Sequence, residues 1–421
     1  MTDPRRAVVQ IEPSRATRAG DPPGRWLALA VLATAMVMSM ATWFSASAVL
    51  PQLREQWGLS TTAASWLTIA VQLGFVVGAV ASAVLNLADI VAPRRLILAG
   101  SLVAAVANLG LLVATGPVSA IALRFLTGIA LAAVYPPALK AMSTWFRAGR
   151  GTALGVMVGA LTLGSALPHL VNGLGGISWE PVIVTTSLLT VFGGLIAGFV
   201  FRDGPFAFPA AVFDPREAGR LIRVRAIRLT SLGYFGHMWE LYAMWAWFAA
   251  FATDTLRLHG VGDPTKVASL LTFAVIGAGA VGCYAGGVLG DRWGRTRLTA
   301  SAMAISGGCA LVIGALRDGP LVVLIAVALV WGLTVVADSA QFSTIVTEVA
   351  DQAYVGTAVT MQLAIGFVLT VVTIWLVPVI RDGSSWFWAF VLLVPGPVIG
   401  VAAMLRLKSL PEAAQIAGGR G

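Results

Sequence analysis

Few residues in this chain can do chemistry, and most of those stand where a charge is costly. Glu240 lies in the middle of an apolar stretch with His237 three residues before it, Asp338 comes late in a second stretch, and Arg124 and His169 fall in two others. An ionised side chain in hydrocarbon is expensive enough that each marks a functional site by expectation. The three-residue spacing puts His237 and Glu240 on one face of a helix, and a carboxyl with an imidazole one turn away can take up and release a proton as its surroundings change. Glu240 is therefore the first candidate for proton coupling or solute contact; the structural alternative is a carboxyl held by Tyr242 or His237 as a tie between helices. Asp338 is a second candidate, or else a partner for Lys140. His169 reads as a packing histidine. Trp239 is too central for the interfacial anchoring usual for membrane tryptophan, and a ring there can stack on an organic solute or a cation. Trp43, Phe44 and Tyr135 are further cavity candidates, and Pro136 and Pro137 predict a bend just after Tyr135.

The elements that must position these groups are membrane spans. The 421 residues are 58% hydrophobic and only 11% charged, with a mean hydropathy of +0.86, whereas an average soluble domain is about a quarter charged. A soluble domain is excluded. At roughly 20 apolar residues per crossing, apolar runs at 26–50, 64–88, 96–115, 118–145, 152–173, 181–202, 227–252, 267–290, 298–316, 320–349, 355–379 and 386–406 predict twelve spans. The net charge of +9 does not indicate nucleic acid, because the basic residues are spread between the runs. With the N-terminus inside, inner connections carry 22 basic residues and the outer ones only Arg54, Arg257, Lys266, Arg317 and Arg381. That asymmetry predicts both termini in the cytoplasm and a multi-pass protein of the cell inner (plasma) membrane.

The predicted organisation is a cytoplasmic tail (1–25), a six-helix bundle (26–202), a cytoplasmic linker (203–226), a second bundle (227–406) and a C-terminal tail (407–421). The sequence Asp214-Pro215-Arg216-Glu217 carries helix-start signals, and the arginines that follow predict a short basic helix lying on the inner membrane surface. Cys283 and Cys309 both fall in apolar runs and read as small buried hydrophobes.

The densest charge in the C-terminal half is the turn Gly286-Gly287-Val288-Leu289-Gly290-Asp291-Arg292-Trp293-Gly294-Arg295-Thr296-Arg297. An echo lies 202 residues earlier, where Asp89, Arg94, Arg95 and Leu96 match Asp291, Thr296, Arg297 and Leu298 in register. Gly151-Thr152-Ala153-Leu154 and Gly356-Thr357-Ala358-Val359 repeat at 205 residues, and two landmarks at nearly one spacing suggest parallel six-helix repeats. The turn resembles the Gly-x-x-x-Asp-Arg-x-Gly-Arg loop of the major facilitator superfamily of secondary transporters. Its N-terminal copy departs from that pattern at Ile90, Ala92 and Pro93. Arg124-Phe125-Leu126-Thr127-Gly128 is similar to the family's fourth-helix signature, with Thr127 in place of glutamine.

The resemblance implies an all-α integral membrane protein of twelve transmembrane helices in two six-helix bundles, with a cavity lined mainly by helices 1, 4, 7 and 10. It further implies that Asp291, Arg292, Gly294 and Arg295, with the weaker Asp89, Arg94 and Arg95, form gating loops that hold one state and break in the other. For Arg124 it leaves two roles open, proton transfer or the binding of an anionic substrate. No glycine-rich phosphate loop, metal spacing or haem pattern is present, so the expectation is a transporter rather than an enzyme, without cofactor, driven by a proton gradient. The favoured reading is proton-coupled uptake of a small organic anion, with substrate groups at Glu240, His237, Trp239, Arg124, Asp338 and Tyr135. The alternative is efflux of hydrophobic or cationic compounds. Expected partners are the small-molecule substrate and membrane lipid, with no nucleic acid and a monomeric state.

Overall fold

The computed structural model describes residues 22–146, 149–175, 178–206, 215–351 and 354–421. It is helical throughout, with no strand among the described residues. Among the described residues, eleven segments are long and apolar enough to cross a membrane: α1 (Arg25–Thr42), α2 (Thr62–Val84), α3 (Pro93–Val113), α4 (Pro117–Ser143), α5 (Arg150–Gly175), α6 (Glu180–Val200), α8 (Pro264–Trp293), α9 (Arg295–Ile313), α10 (Leu321–Val349), α11 (Val355–Gly383) and α12 (Trp386–Lys408). Between α6 and α8 runs α7 (Arg225–Leu258), the longest helix at 34 residues. At 1.5 Å per residue it is about 50 Å long, well beyond the roughly 30 Å hydrocarbon layer. It is less apolar than the others because it carries His237 and Glu240 among its aromatics, and it keeps both inside the protein, 2% and 1% exposed.

Helices α1–α6 form one bundle and α7–α12 the other. In the first, α2 packs on α4 and α3 on α6; in the second, α7 packs on α11 and α12, and α8 on α10. Two seams join the bundles, α5 along α8 and α2 along α11. The α5–α8 seam is close because its facing residues are small. A Cβ added to Gly155 would stand 2.6 Å from the carbonyl oxygen of Cys283, and one on Gly287 2.7 Å from that of Gly151.

Three of the helices that face the middle are interrupted. After Thr42, α1 gives way to a turn at Trp43–Phe44, a single helical turn (Ser45–Ala48) and a further helix (Leu50–Trp57). The α10 helix stops at Thr334 and resumes at Ser339. The α4 helix breaks at Ala133–Val134, before the prolines; Pro136 and Pro137 occupy the first turn of its second segment (Tyr135–Ser143), where proline is pre-organised. In the linker, Asp214 lies outside the described residues, and the short helix begins at Pro215 and ends at Leu221.

Candidate functional site

The break in α1 leaves backbone carbonyls without helical partners, which is tolerable in a membrane interior only where protein supplies donors. Arg124 of α4 supplies them. Its Nη1 donates to the carbonyl of Thr42 at 2.9 Å, to Ser45 Oγ at 3.1 Å and to Asn108 Oδ1 at 3.3 Å, Nε donates to the carbonyl of Leu67 at 3.3 Å, and Nη2 donates to the carbonyl of Trp43. Arg124 is fully buried and has no carboxylate partner among the described residues. Its two Nη groups hold the α1 break in place while Nε ties it to α2, and its positive charge is offset only by dipoles.

The break in α10 places Asp338 at the start of the helix that resumes at Ser339. Its Oδ1 lies 2.9 Å from Nδ1 of His237 on α7, at ion-pair distance though without the alignment of a hydrogen bond. His237 Nε2 has no hydrogen-bond partner among the described residues, and its ring packs between Tyr234 and Phe342. Lys140, the alternative partner, instead donates to Asp89 and to the carbonyl of Ala88.

Glu240 shares a helix face with His237, yet the two do not meet. The 60° between them is enough to serve different neighbours: Glu240 Oε1 accepts from Trp331 Nε1 at 2.7 Å and Oε2 from Ser306 Oγ at 2.9 Å. The carboxyl ties α7 to α9 and α10 inside its own bundle. Trp239 also turns from the centre, donating to the carbonyl of Leu392 at 2.9 Å and packing on Gly396 of α12.

The space between the bundles is a narrow cleft of about 50 Å³. Tyr135 of α4, Leu154 and Val158 of α5, Tyr234 and Tyr242 of α7, and Ser339 and Ser343 of α10 are on its wall. Glu240, His237, Asp338, Trp239 and Arg124 are not, so Tyr135 alone of the six predicted substrate residues faces it. Asp338 and His237 stand directly behind, since Ser339 and Ala340 on one helix and Tyr234, Met238 and Leu241 on the other are lining residues. Drug-sized ligand sites run to about 300–1,000 Å³, so the cleft must widen before an organic solute fits.

Above the cleft the bundles meet through aromatic rings. Trp43 stacks on Tyr242 with centroids 6.0 Å apart and contacts Phe367 at 5.9 Å; Phe44 stacks on Tyr242 at 6.2 Å and meets Trp245 edge-on at 5.9 Å; Phe75 lies 4.7 Å from Phe367. Trp43 and Phe44 were legible as cavity residues, and they act here as half of a plug. Phe75 and Phe367 carried no signal in the sequence, being single apolar residues in apolar helices.

The charged loops lie at the opposite end of the cleft. Asp291 packs against Gly151, where a Cβ would come within 2.5 Å of its carboxylate, so the acid sits at the first turn of α5 in the other bundle, a favourable place for a negative charge. Arg295 holds the loop: it pairs with Asp291 at 3.1 Å, with Glu348 of α10 through Nε (3.2 and 3.1 Å) and Nη2 (2.9 Å), and with Gln341 at 2.9 Å. Gly294 turns the chain at a φ of 98°, which favours glycine. The C-terminal residues fold back on this loop, Arg420 donating to the Asp291 carbonyl and the Thr296 N–H donating to Gly421 at 3.2 Å. The N-terminal copy is plainer: Asp89 is held by Lys140 within its own bundle, and Arg94, Arg95 and Arg292 are half-buried to exposed. Glu348 was missed because nothing local marks an acid at a helix end as the partner of an arginine 53 residues before it.

Comparisons with known proteins agree with this architecture. The chain is similar to a bacterial homologue of the human lysosomal transporter Spinster, in an inward-facing and unoccupied conformation, with a TM-score of 0.63 and 16% identity over 94% of this chain and 97% of that one. It is similar also to the proton:xylose symporter XylE bound to 6-bromo-6-deoxy-D-glucose, with a TM-score of 0.70 and 12% identity over 91% and 95%. Among relatives by sequence, a probable sulfoacetate transporter of Cupriavidus necator is 25% identical over 62% of this chain and 64% of its own length. A probable transporter of Streptomyces coelicolor is 27% identical over 70% and 68%, and a probable actinorhodin transporter of the same organism is 30% identical over 40% and 30%. The matched region thus spans just under two thirds of the first of these relatives. The family model of the Major Facilitator Superfamily matches residues 32–364, and the chain, a multi-pass membrane protein of twelve helices in two bundles, belongs to that superfamily of transporters.

Proposed function

We propose that this protein carries a small organic solute across the membrane by alternating access, binding it in the cleft between the bundles. The observation that carries the reading is the contrast between the two ends of the cleft. One end is closed by Trp43, Phe44 and Phe75 against Tyr242, Trp245 and Phe367, and the other by one charged loop against the first turn of α5. Rocking one bundle on the other opens the two ends in turn. The excess of basic residues supports an orientation with the charged-loop end, and both termini, in the cytoplasm.

The wall favours a solute with an aromatic or apolar body and groups that bond to hydroxyls. Tyr135, Tyr234, Tyr242, Ser339 and Ser343 offer such bonds, and no charged side chain lines the cleft among the described residues. The His237–Asp338 pair, directly behind the wall at the α10 break, is the proton-coupling site in this reading: a proton there changes the charge held between α7 and α10 just behind the lining residues. Flux in proteoliposomes tests it. Uptake or counterflow driven by a pH gradient that is lost in Asp338→Asn and His237→Gln, with Tyr242→Ala raising KM, supports the reading; pH-gradient coupling unchanged in both charge variants overturns it.

A second reading, transport of a small organic anion, has one observation in its favour. Arg124 is a buried cation without a carboxylate partner, and it lies beside the α1 turn that supplies Trp43 and Phe44. The likeness to a probable sulfoacetate transporter points the same way. Competition of flux by sulfonates and carboxylates against neutral aromatic solutes separates the two readings.

A further inference from the structure

A second concavity, larger than the cleft, does not lie between the bundles. It is a groove of about 610 Å³ on the outside of the second bundle, between α9 and α12 at the charged-loop end. Its floor is shallow because α9 presents Ala300, Ser301 and Ala304 there, and Val401 and Leu405 of α12 form the far wall. Its rim carries Trp293 and Arg297. Both are exposed, and neither the indole N–H nor the guanidinium has a hydrogen-bond or ion-pair partner among the described residues. Arg292 and Arg406 are exposed close by, while Asp291 of the same turn is engaged by Arg295.

The internal repeat supplies a control. At the 202-residue offset Arg95 matches Arg297, but Leu98 and Leu102 stand where the second bundle has Ala300 and Ala304. In the first bundle Leu98 fills the space against α6, so that a Cβ on Gly198 would meet its side chain at 2.9 Å. One bundle has leucine where the other has an open slot below an unpaired cation.

We propose that this groove binds one anionic phospholipid of the surrounding membrane, with the headgroup phosphate on Arg297 and the Trp293 N–H and one acyl chain along Ala300, Ala304, Val401 and Leu405. The apolar slot lies on a lipid-facing helix pair, so acyl chains are its surrounding medium. The rim is cationic with no acid on it, so an anionic headgroup is favoured over a zwitterionic one. An arginine with an adjacent indole donor can bond two phosphate oxygens at once.

Native mass spectrometry of the full chain, released from micelles containing phosphatidylglycerol and phosphatidylcholine in equal amounts, tests the proposal without any transport assay. The wild type is expected to retain phosphatidylglycerol preferentially. Arg297→Gln is expected to cut that preference roughly fivefold, while the double variant Ala300→Leu with Ala304→Leu, which copies the filled groove of the first bundle, lowers retention of both lipids. Glycerol phosphate added as a soluble headgroup is expected not to compete, because it brings no chain. Equal retention of the two lipids by the wild type, an unchanged preference in Arg297→Gln, or displacement by glycerol phosphate would each overturn the proposal. Arg297 is exposed and unpaired, so its replacement leaves the fold intact, and an unchanged thermal midpoint in that variant keeps the comparison valid should the leucine variant fold poorly.

Discussion

Replacing Glu240 separates two roles that the sequence alone leaves open. Its carboxyl accepts from the Trp331 indole and the Ser306 hydroxyl, and Ser306 Oγ also lies 3.2 Å from the carbonyl of Met303. A glutamine keeps an acceptor for Trp331, and its amide can donate to Ser306, whose hydroxyl then turns to Met303. Glu240→Gln should therefore cost little stability. Leucine keeps the volume but accepts nothing, so the Trp331 N–H is buried without a partner, at a cost of about 1–3 kcal/mol. Denaturation of purified protein in rising dodecyl sulfate measures both variants. Adding Trp331→Phe to Glu240→Leu removes the orphaned donor, so the two losses should sum to more than the loss in the double variant. In flux assays Glu240→Gln should keep its response to a pH gradient, because the carboxyl faces α9 and α10 rather than the cleft. A stable Glu240→Gln protein that has lost pH-driven flux would refute this reasoning and return Glu240 to the coupling site; strictly additive losses would refute the tie to Trp331.

Four further outcomes are expected. Arg124→Lys keeps the charge but not the five-donor fork, so it should lower stability by at least about 2 kcal/mol through the carbonyls of Thr42, Trp43 and Leu67; an unchanged unfolding midpoint would show that the α1 break does not depend on it. Trp43→Ala should let a membrane-impermeant thiol reagent, added from the side away from the charged loops, reach a cysteine placed at Leu241 in a protein whose Cys283 and Cys309 are serine; protection equal to that with Trp43 intact would mean the plug is not the seal. Glu348→Gln removes one partner of Arg295 and should raise labelling of the same site from the charged-loop side, a change that a static role would not produce. Gly155→Val forces a Cβ toward the Cys283 carbonyl and should abolish flux while the protein still inserts, as judged by expression and size-exclusion profile.

Hydropathy was enough to find the helices, because crossing a bilayer demands apolar length and little else. The loop that binds Asp291 to Arg295 was legible from charge and glycine spacing. The interruptions of α1 and α10 were not. Neither carries proline or glycine at the break, and the donors that make the α1 break tolerable come from Arg124, about 80 positions away, a relation no local pattern records. For the same reason the pairing of His237 with Asp338 was hidden, although both were visible as misplaced charges. The expectation that Glu240 and His237 act together followed from helical spacing, which settles a shared face but not which neighbour each residue meets. Trp239 was judged by its depth alone, and depth does not tell the cleft side from the α12 side.

The plug between the bundles has one more consequence. Among the described residues its rings meet without an ion pair or a hydrogen bond between them, so water rather than charge sets how firmly that end stays shut. Such a seal weakens on cooling and tightens in salts that drive apolar groups together, whereas the Asp291–Arg295–Glu348 network at the other end loosens as ionic strength rises. Cold and salt thus push the carrier toward different faces, and a chilled sample and a high-salt sample of the same protein should be trapped in different halves of its cycle.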